Sequence, residues 1–211
     1  MDPDLVVGSL DGIGAFDHVK RAAFMRKLMD TPSLRDIVPL VRMLYGSESC
    51  FLWTDDDGVT HIITQAEGGE QGCPLMPALY ALAQHDALVA ASRELLPSER
   101  LYSFLDDLYV VTSRERFHEA FKTVAENVER HAGVKSHLGK LRAWCSGGGA
   151  APAAVAALGE EVWTADNPPQ QNGLVILGTP LGTPAFVQEH AEKRMEKERH
   201  LLGEITKLPT L

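Results

Sequence analysis

Ser103-Phe104-Leu105-Asp106-Asp107-Leu108-Tyr109-Val110-Val111 is the stretch on which the reading of this chain turns. Leu101 to Leu105 and Leu108 to Thr112 are β-prone runs, and the adjacent aspartates between them read as the tip of a hairpin. Far upstream, Leu5 to Leu10 read as a short strand that delivers Asp11 into Leu10-Asp11-Gly12-Ile13-Gly14-Ala15-Phe16-Asp17. Carboxylates at the ends of apolar strands are costly unless their charge is compensated. A hard divalent cation held by oxygen ligands compensates them in phosphoryl-transfer sites.

Between these acidic segments the pattern alternates. Asp17 is positioned to cap a helix over about 18–30, where Val19, Ala22, Ala23, Met25 and Leu28 keep an apolar stripe. Thr31-Pro32 breaks it, and a second helix is expected from about Ser33 to Tyr45, stopped by Gly46. Cys50 to Thr54 and Val59 to Thr64 flank Asp55-Asp56-Asp57-Gly58, a hairpin signal. Glu67-Gly68-Gly69-Glu70-Gln71-Gly72 is a glycine-rich loop leading through Pro74 and Pro77 into a long apolar helix that ends near Leu96. Helix is expected again from Phe117 to His131, strand from Lys140 to Cys145, a Gly/Ala/Pro-rich surface excursion over 146–158, strand and turn at Gly173 to Gly178, and a charged helix from Pro184 to Leu208. This order predicts an α+β fold, an antiparallel sheet with helices on one face, in which the strands carrying Asp11 and Asp106 are neighbours.

The bulk numbers allow one well-buried domain: 211 residues, 45% hydrophobic and 23% charged. No apolar run approaches the roughly 18 residues of a membrane span. Met1-Asp2-Pro3-Asp4 is acidic and does not read as a signal peptide. Three scattered cysteines, Cys50, Cys73 and Cys145, suggest neither a disulfide framework nor a zinc site, so a reducing intracellular compartment is expected. The net charge of −9 runs against strong binding of a nucleic-acid backbone by this chain alone. It points to basic surface carried by other parts of a longer protein.

The motifs taken in order resemble the palm of reverse transcriptases. Ser9-Leu10-Asp11-x4-Phe16-Asp17, Gly68-x-x-Gln71-Gly72-x4-Pro77 and Phe104-Leu105-Asp106-Asp107 match three of the family's motifs, Lys140 matches the lysine of the next, and Leu177-Gly178-Thr179-Pro180-Leu181-Gly182 resembles the primer-grip turn after it. The likeness covers about residues 8–182 and is greatest to the non-LTR-retrotransposon (LINE-like) type. It implies a palm with partial fingers over 1–182 and, over 183–211, a charged helical tail that begins a thumb or connection. It implies RNA-directed DNA polymerisation: two Mg²⁺ ions, with Mn²⁺ as a substitute, held by Asp11, Asp106 and Asp107, and transfer from a dNTP to the 3′-hydroxyl of a DNA primer on an RNA template. Further implied roles are an extra ligand in the Gly12 carbonyl, a sugar-stacking steric gate in Phe16, template and nucleotide contacts at Gln71 and Gly72, and protonation of pyrophosphate by Lys140. The family would be nuclear or cytoplasmic, without a membrane.

The residues have plainer readings too. Aspartate pairs occur in tight turns, Phe16 suits a core, and a lone lysine is usually a solvated charge. Asp55-Asp56-Asp57 reads only as a turn, the eight histidines carry no metal-ligand spacing, and Gly147-Gly148-Gly149 lacks the Lys-Ser/Thr of a phosphate loop. The sequence departs from the family in having ten residues before Asp11, no recognisable endonuclease segment, little thumb, and Met76 where a small serine is common. Two other function classes therefore stay open: a non-catalytic, retroelement-derived module that binds nucleic acid or protein, and another two-metal palm enzyme such as a nucleotide cyclase.

Overall fold

The central strands come from distant parts of the chain. In the computed structural model, which describes residues 2–205 and 207, β1 (Leu5–Leu10) lies antiparallel to β5 (Asp107–Ser113), with Leu10 opposite Leu108 and Val7 opposite Val111. β4 (Arg100–Phe104) flanks β5, and β6 (Arg142–Cys145) flanks β1, giving the order β4-β5-β1-β6. Val6, Val7, Leu10, Leu108, Tyr109 and Val110 are all buried. Apolar runs of this kind, broken in β1 only by Gly8 and Ser9, suit strands covered on both faces.

On one face lie α4 (Met76–Glu94) and α5 (Phe117–Ala132). Gly8 makes the close approach of α5 feasible, because a Cβ there would stand 2.2 Å from Phe117 Cε2. On α4, Leu79, Ala83, Ala87 and Ala91 recur at helical spacing and are buried. On α5, Phe117, Phe121, Val124, Val128 and Ala132 do the same, and Gly133 (φ 80) ends the helix in the left-handed conformation. The opposite face carries Val7, Tyr109 and Trp144. There Trp144 donates to Asn172 Oδ1 at 2.7 Å, ahead of the hairpin β7 (Gly173–Ile176)–β8 (Thr179–Gly182) and α7 (Pro184–Ile205). The expected α+β palm-like layering is what forms, with the helices α4 and α5 sharing one face.

Local expectations needed correction. Asp17 does not cap a long helix. A short α1 (Ala15–His18) starts from Gly14 (φ 48), the chain extends through Val19 and Lys20, and α2 (Arg21–Asp30) begins afresh. Tertiary bonds impose the break: the buried Val19 accepts from Gly68 N at 2.8 Å, and Arg21 N donates to Glu67 Oε2 at 2.6 Å. The stretch expected as one helix from Ser33 is a 3₁₀ segment, Pro32–Ile37, before α3 (Val38–Tyr45). Lys140 lies in a 3₁₀ turn and not in a strand. The excursion at 146–158 contains α6 (Ala153–Ala156), whose Val155 is fully buried. The tail helix is described to Ile205, and residues 206 and 208 of that expectation lie outside the described residues. β2 (Ser49–Thr54) and β3 (Thr60–Gln65) pair as expected but form a separate two-stranded sheet with most of both strands exposed.

Candidate functional site

Asp11 leaves the end of β1, where Leu10 pairs with Leu108 of β5, one residue beyond Asp107. The hairpin tip has the two residues that the sequence suggested but sits one position earlier. Phe104 pairs with Asp107, so Leu105 and Asp106 form the turn and Asp107 is already in the ladder. Leu105 holds φ 54, a left-handed conformation that costs a leucine on the order of 1 kcal/mol or more. Because β1 and β5 run antiparallel, both acidic segments reach the same end of the sheet.

Mutual electrostatics follow from the proximity. Burial pushes the Asp107 carboxyl up, and the charges of Asp106 and Asp11 push it further, while Lys140 opposes them. Lys140 Nζ stands 2.8 Å from Asp11 Oδ2. That hydrogen bond and Asp11's charge hold the Lys140 ammonium's pKa above its ordinary value, with desolvation opposing and Asp106 and Asp107 adding to the rise. The lysine arrives there because its segment is sewn to Asp11. His137 N donates to the Asp11 carbonyl at 2.8 Å, Ile13 N donates to the Lys135 carbonyl at 2.8 Å, and Gly12 bridges Ser136. Gly12 is required there by packing, since a Cβ would meet Val134 Cγ1 at 2.5 Å.

A second cluster borders the first. Phe16, Gln71, Gly72, Met76, Pro77 and Asp106 line one cavity of about 570 Å³. Phe16 stacks on Tyr80 with ring centroids 4.8 Å apart. Gln71 and Gly72 are exposed. They are brought beside Phe16 by the preceding glycines: Gly69 N donates to the Phe16 carbonyl at 2.9 Å, and Gly68 (φ 72) sits where a Cβ would be 2.1 Å from the Asp17 carbonyl oxygen. A groove of about 700 Å³ opens on the other side, touching Ser9, Asp11, Asp107, Lys140 and Arg142.

Three contributors escaped the sequence reading. Tyr80 is buried on α4, and its hydroxyl is pushed well above the ordinary tyrosine range by burial and then by the charges of Asp106 and Asp11. A hydroxyl-bearing aromatic inside a stripe of small apolar residues was the available signal. Tyr109 Oη accepts from Leu177 N at 3.2 Å, tying the β7–β8 turn to the acidic strand. That turn has positive φ at both Leu177 and Gly178. Arg21, buried at 5% exposure, donates to the Gly68 and Ser47 carbonyls and to Ser49 Oγ, anchoring the glycine loop to α2. No local pattern marks an arginine for burial.

The donor set of Asp11, Asp106 and Asp107, all carboxylate oxygens, suits a hard divalent ion. Its present arrangement is not a finished cage: among the described residues no three His, Cys, Asp or Glu side chains stand together as a ready set of metal ligands. Asp11 instead faces an ammonium. No described helix is long and apolar enough to cross a membrane.

No family model and no curated protein matches the sequence. Solved structures match the fold. The chain is similar to apo telomerase from Candida tropicalis truncated from its C-terminal domain, at TM-score 0.57 and 13% identity, over 86% of this chain and 34% of that one. It is also similar to telomerase from Candida albicans in complex with a fragment of telomeric RNA, at TM-score 0.58 and 11% identity, over 87% of this chain and 30% of that one. The chain thus spans about a third of these neighbours' length, and the likeness establishes a reverse-transcriptase-like palm fold.

Proposed function

We propose that the chain is the palm core of an RNA-directed DNA polymerase, of the non-LTR-retrotransposon type and part of a longer protein that acts inside the cell. The observation that carries this reading is the gathering of Asp11, Asp106 and Asp107 at one end of the sheet, next to a cavity lined by Phe16, Gln71 and Gly72. A nucleotide cyclase would have no use for a Gln-Gly loop facing that cavity, or for a bulky aromatic under it.

In this reading Asp11, Asp106 and Asp107, with the Gly12 carbonyl, hold Mg²⁺ or Mn²⁺. The bound ions would activate the primer hydroxyl and stabilise the leaving pyrophosphate. Phe16, braced by Tyr80, stacks under the sugar and leaves no room for a 2′-hydroxyl. Gly72, free of a side chain and at φ 94, lets backbone approach the nucleotide closely while Gln71 contacts the template. The Leu177-Gly178 turn, fixed through Tyr109, lies against the primer strand. Lys140 delivers a proton to the departing pyrophosphate. Template and primer supply most of their own orientation through contacts with the remainder of the longer protein.

A second reading, a binding module without catalysis, draws on the β2–β3 hairpin, whose apolar side chains face solvent on both sides. Primer extension on an RNA template with dNTPs and Mg²⁺ separates the two. Polymerase activity is expected to be present in the chain, supplied with flanking segments if needed, and abolished by Asp106→Ala. Extension that survives the substitution sinks the assignment of the site.

A further inference from the structure

Resting on the polymerase reading of the same site, we infer that Lys140 is a displaceable counter-ion: it holds Asp11 in the metal-free protein, and a divalent cation takes that oxygen only by evicting the ammonium. The Nζ–Oδ2 distance of 2.8 Å is that of a charge-assisted hydrogen bond. Both partners are reachable from solvent, with the Asp11 side chain 30% and the Lys140 side chain 59% exposed, so the contact can open without unfolding. The lysine's backbone, by contrast, is fixed: Lys140 N donates to the His137 carbonyl at 3.0 Å, and His137 N donates to Asp11's own carbonyl. Opening is therefore a side-chain swing.

Among the described residues, the other cations lining the groove are committed elsewhere. Arg142 is held by Glu161 at 2.8 Å and by the Gly139 and Leu141 carbonyls, and Lys193 pairs with Glu189 at 3.0 Å. Lys140, 2.8 Å from Asp11, is thus the ammonium left to offset the site's carboxylates. An ion bound to Asp11 would sit about 2 Å from its oxygen. An ammonium still bonded to the same oxygen would then be within strong repulsion of a doubly charged neighbour. Attraction to the same three carboxylates makes the two cations competitors.

The test is titration of the whole chain with Mn²⁺ alone, following the free ion by electron paramagnetic resonance and, separately, the melting temperature with and without the ion. Lys140→Met keeps the alkyl stem and removes the charge. It is expected to bind Mn²⁺ about two- to fivefold more tightly, the range set by the modest worth of an exposed ion pair, and to show a larger Mn²⁺-induced rise in melting temperature. Lys135→Met, a neighbouring exposed lysine paired only loosely with Glu129 at 3.9 Å, is expected to bind as the unaltered chain does. Equal or weaker Mn²⁺ binding by Lys140→Met overturns the inference. Failure of the underlying reading has a different signature: Asp106→Ala would then bind Mn²⁺ as well as the unaltered chain, whatever residue 140 is.

Discussion

The four-stranded sheet and the β2–β3 hairpin are made from the same kind of sequence and end in opposite circumstances. Leu108-Tyr109-Val110 of β5 is buried. Phe51-Leu52-Trp53 of β2 is exposed, Leu52 at 74%. The hairpin is secured locally. Asp55 accepts from the amides of Asp57 and Val59 and pairs with His61 at 2.6 Å, and Trp53 stacks on His61 at 5.1 Å. The sheet is secured by distance in sequence: strands near residues 5, 100, 110 and 142 meet under two helices. β-propensity thus produces the strand in both places, and only non-local covering produces a core. The acidic site belongs to the second kind of region, since it exists only where β1 and β5 come together.

The contrast can be broken most forcefully in the sheet. Phe117→Ala removes the fully buried ring that lies over Gly8 and should cost about 3–5 kcal/mol, measured as the shift in a urea unfolding midpoint. A similar loss from a hairpin residue would erase the distinction.

An intermediate effect is expected at Glu99, which ties the start of β4 to β5 and α5. Burial pushes its carboxyl up, but hydrogen bonds from Leu96 N, Thr112 and Arg116 outweigh this and hold it below the ordinary value of 4.5. The depressed carboxyl contributes stability that is fully present above pH 4.5 and is lost as pH falls through the lower folded-state value. Glu99→Gln should cost about 1–3 kcal/mol at neutral pH, and the gap between the two proteins should narrow as pH drops below 4.5. A gap that stays constant on the acid side would remove the carboxylate from the account of the sheet.

The smallest effect belongs to the hairpin. Leu52→Ser should change stability by no more than about 0.5 kcal/mol, because the side chain is already in water. The same unfolding measurement checks it. A large loss would mean that the hairpin is covered in solution, as isolated two-stranded sheets tend to require.

What the sequence determined by itself is the list of strands and their chemistry. Apolar runs bounded by turn residues located β1 to β5, and the aspartates at or near their ends made Asp11, Asp106 and Asp107 the candidates. Gly12, just after Asp11, and the glycine-rich loop carrying Gly68 and Gly72 were also visible in the sequence. These are short-range signals, set by the conformational and solvation preferences of a few adjacent residues. The tertiary structure alone decided the interruption between α1 and α2, because the Val19 carbonyl and Arg21 amide bond to Gly68 and Glu67, over forty positions away in sequence. It alone brought Lys140 to Asp11 and Tyr80 beneath Phe16, and it alone left β2–β3 uncovered. Burial and charge pairing depend on which surfaces meet, and no window of sequence contains both partners.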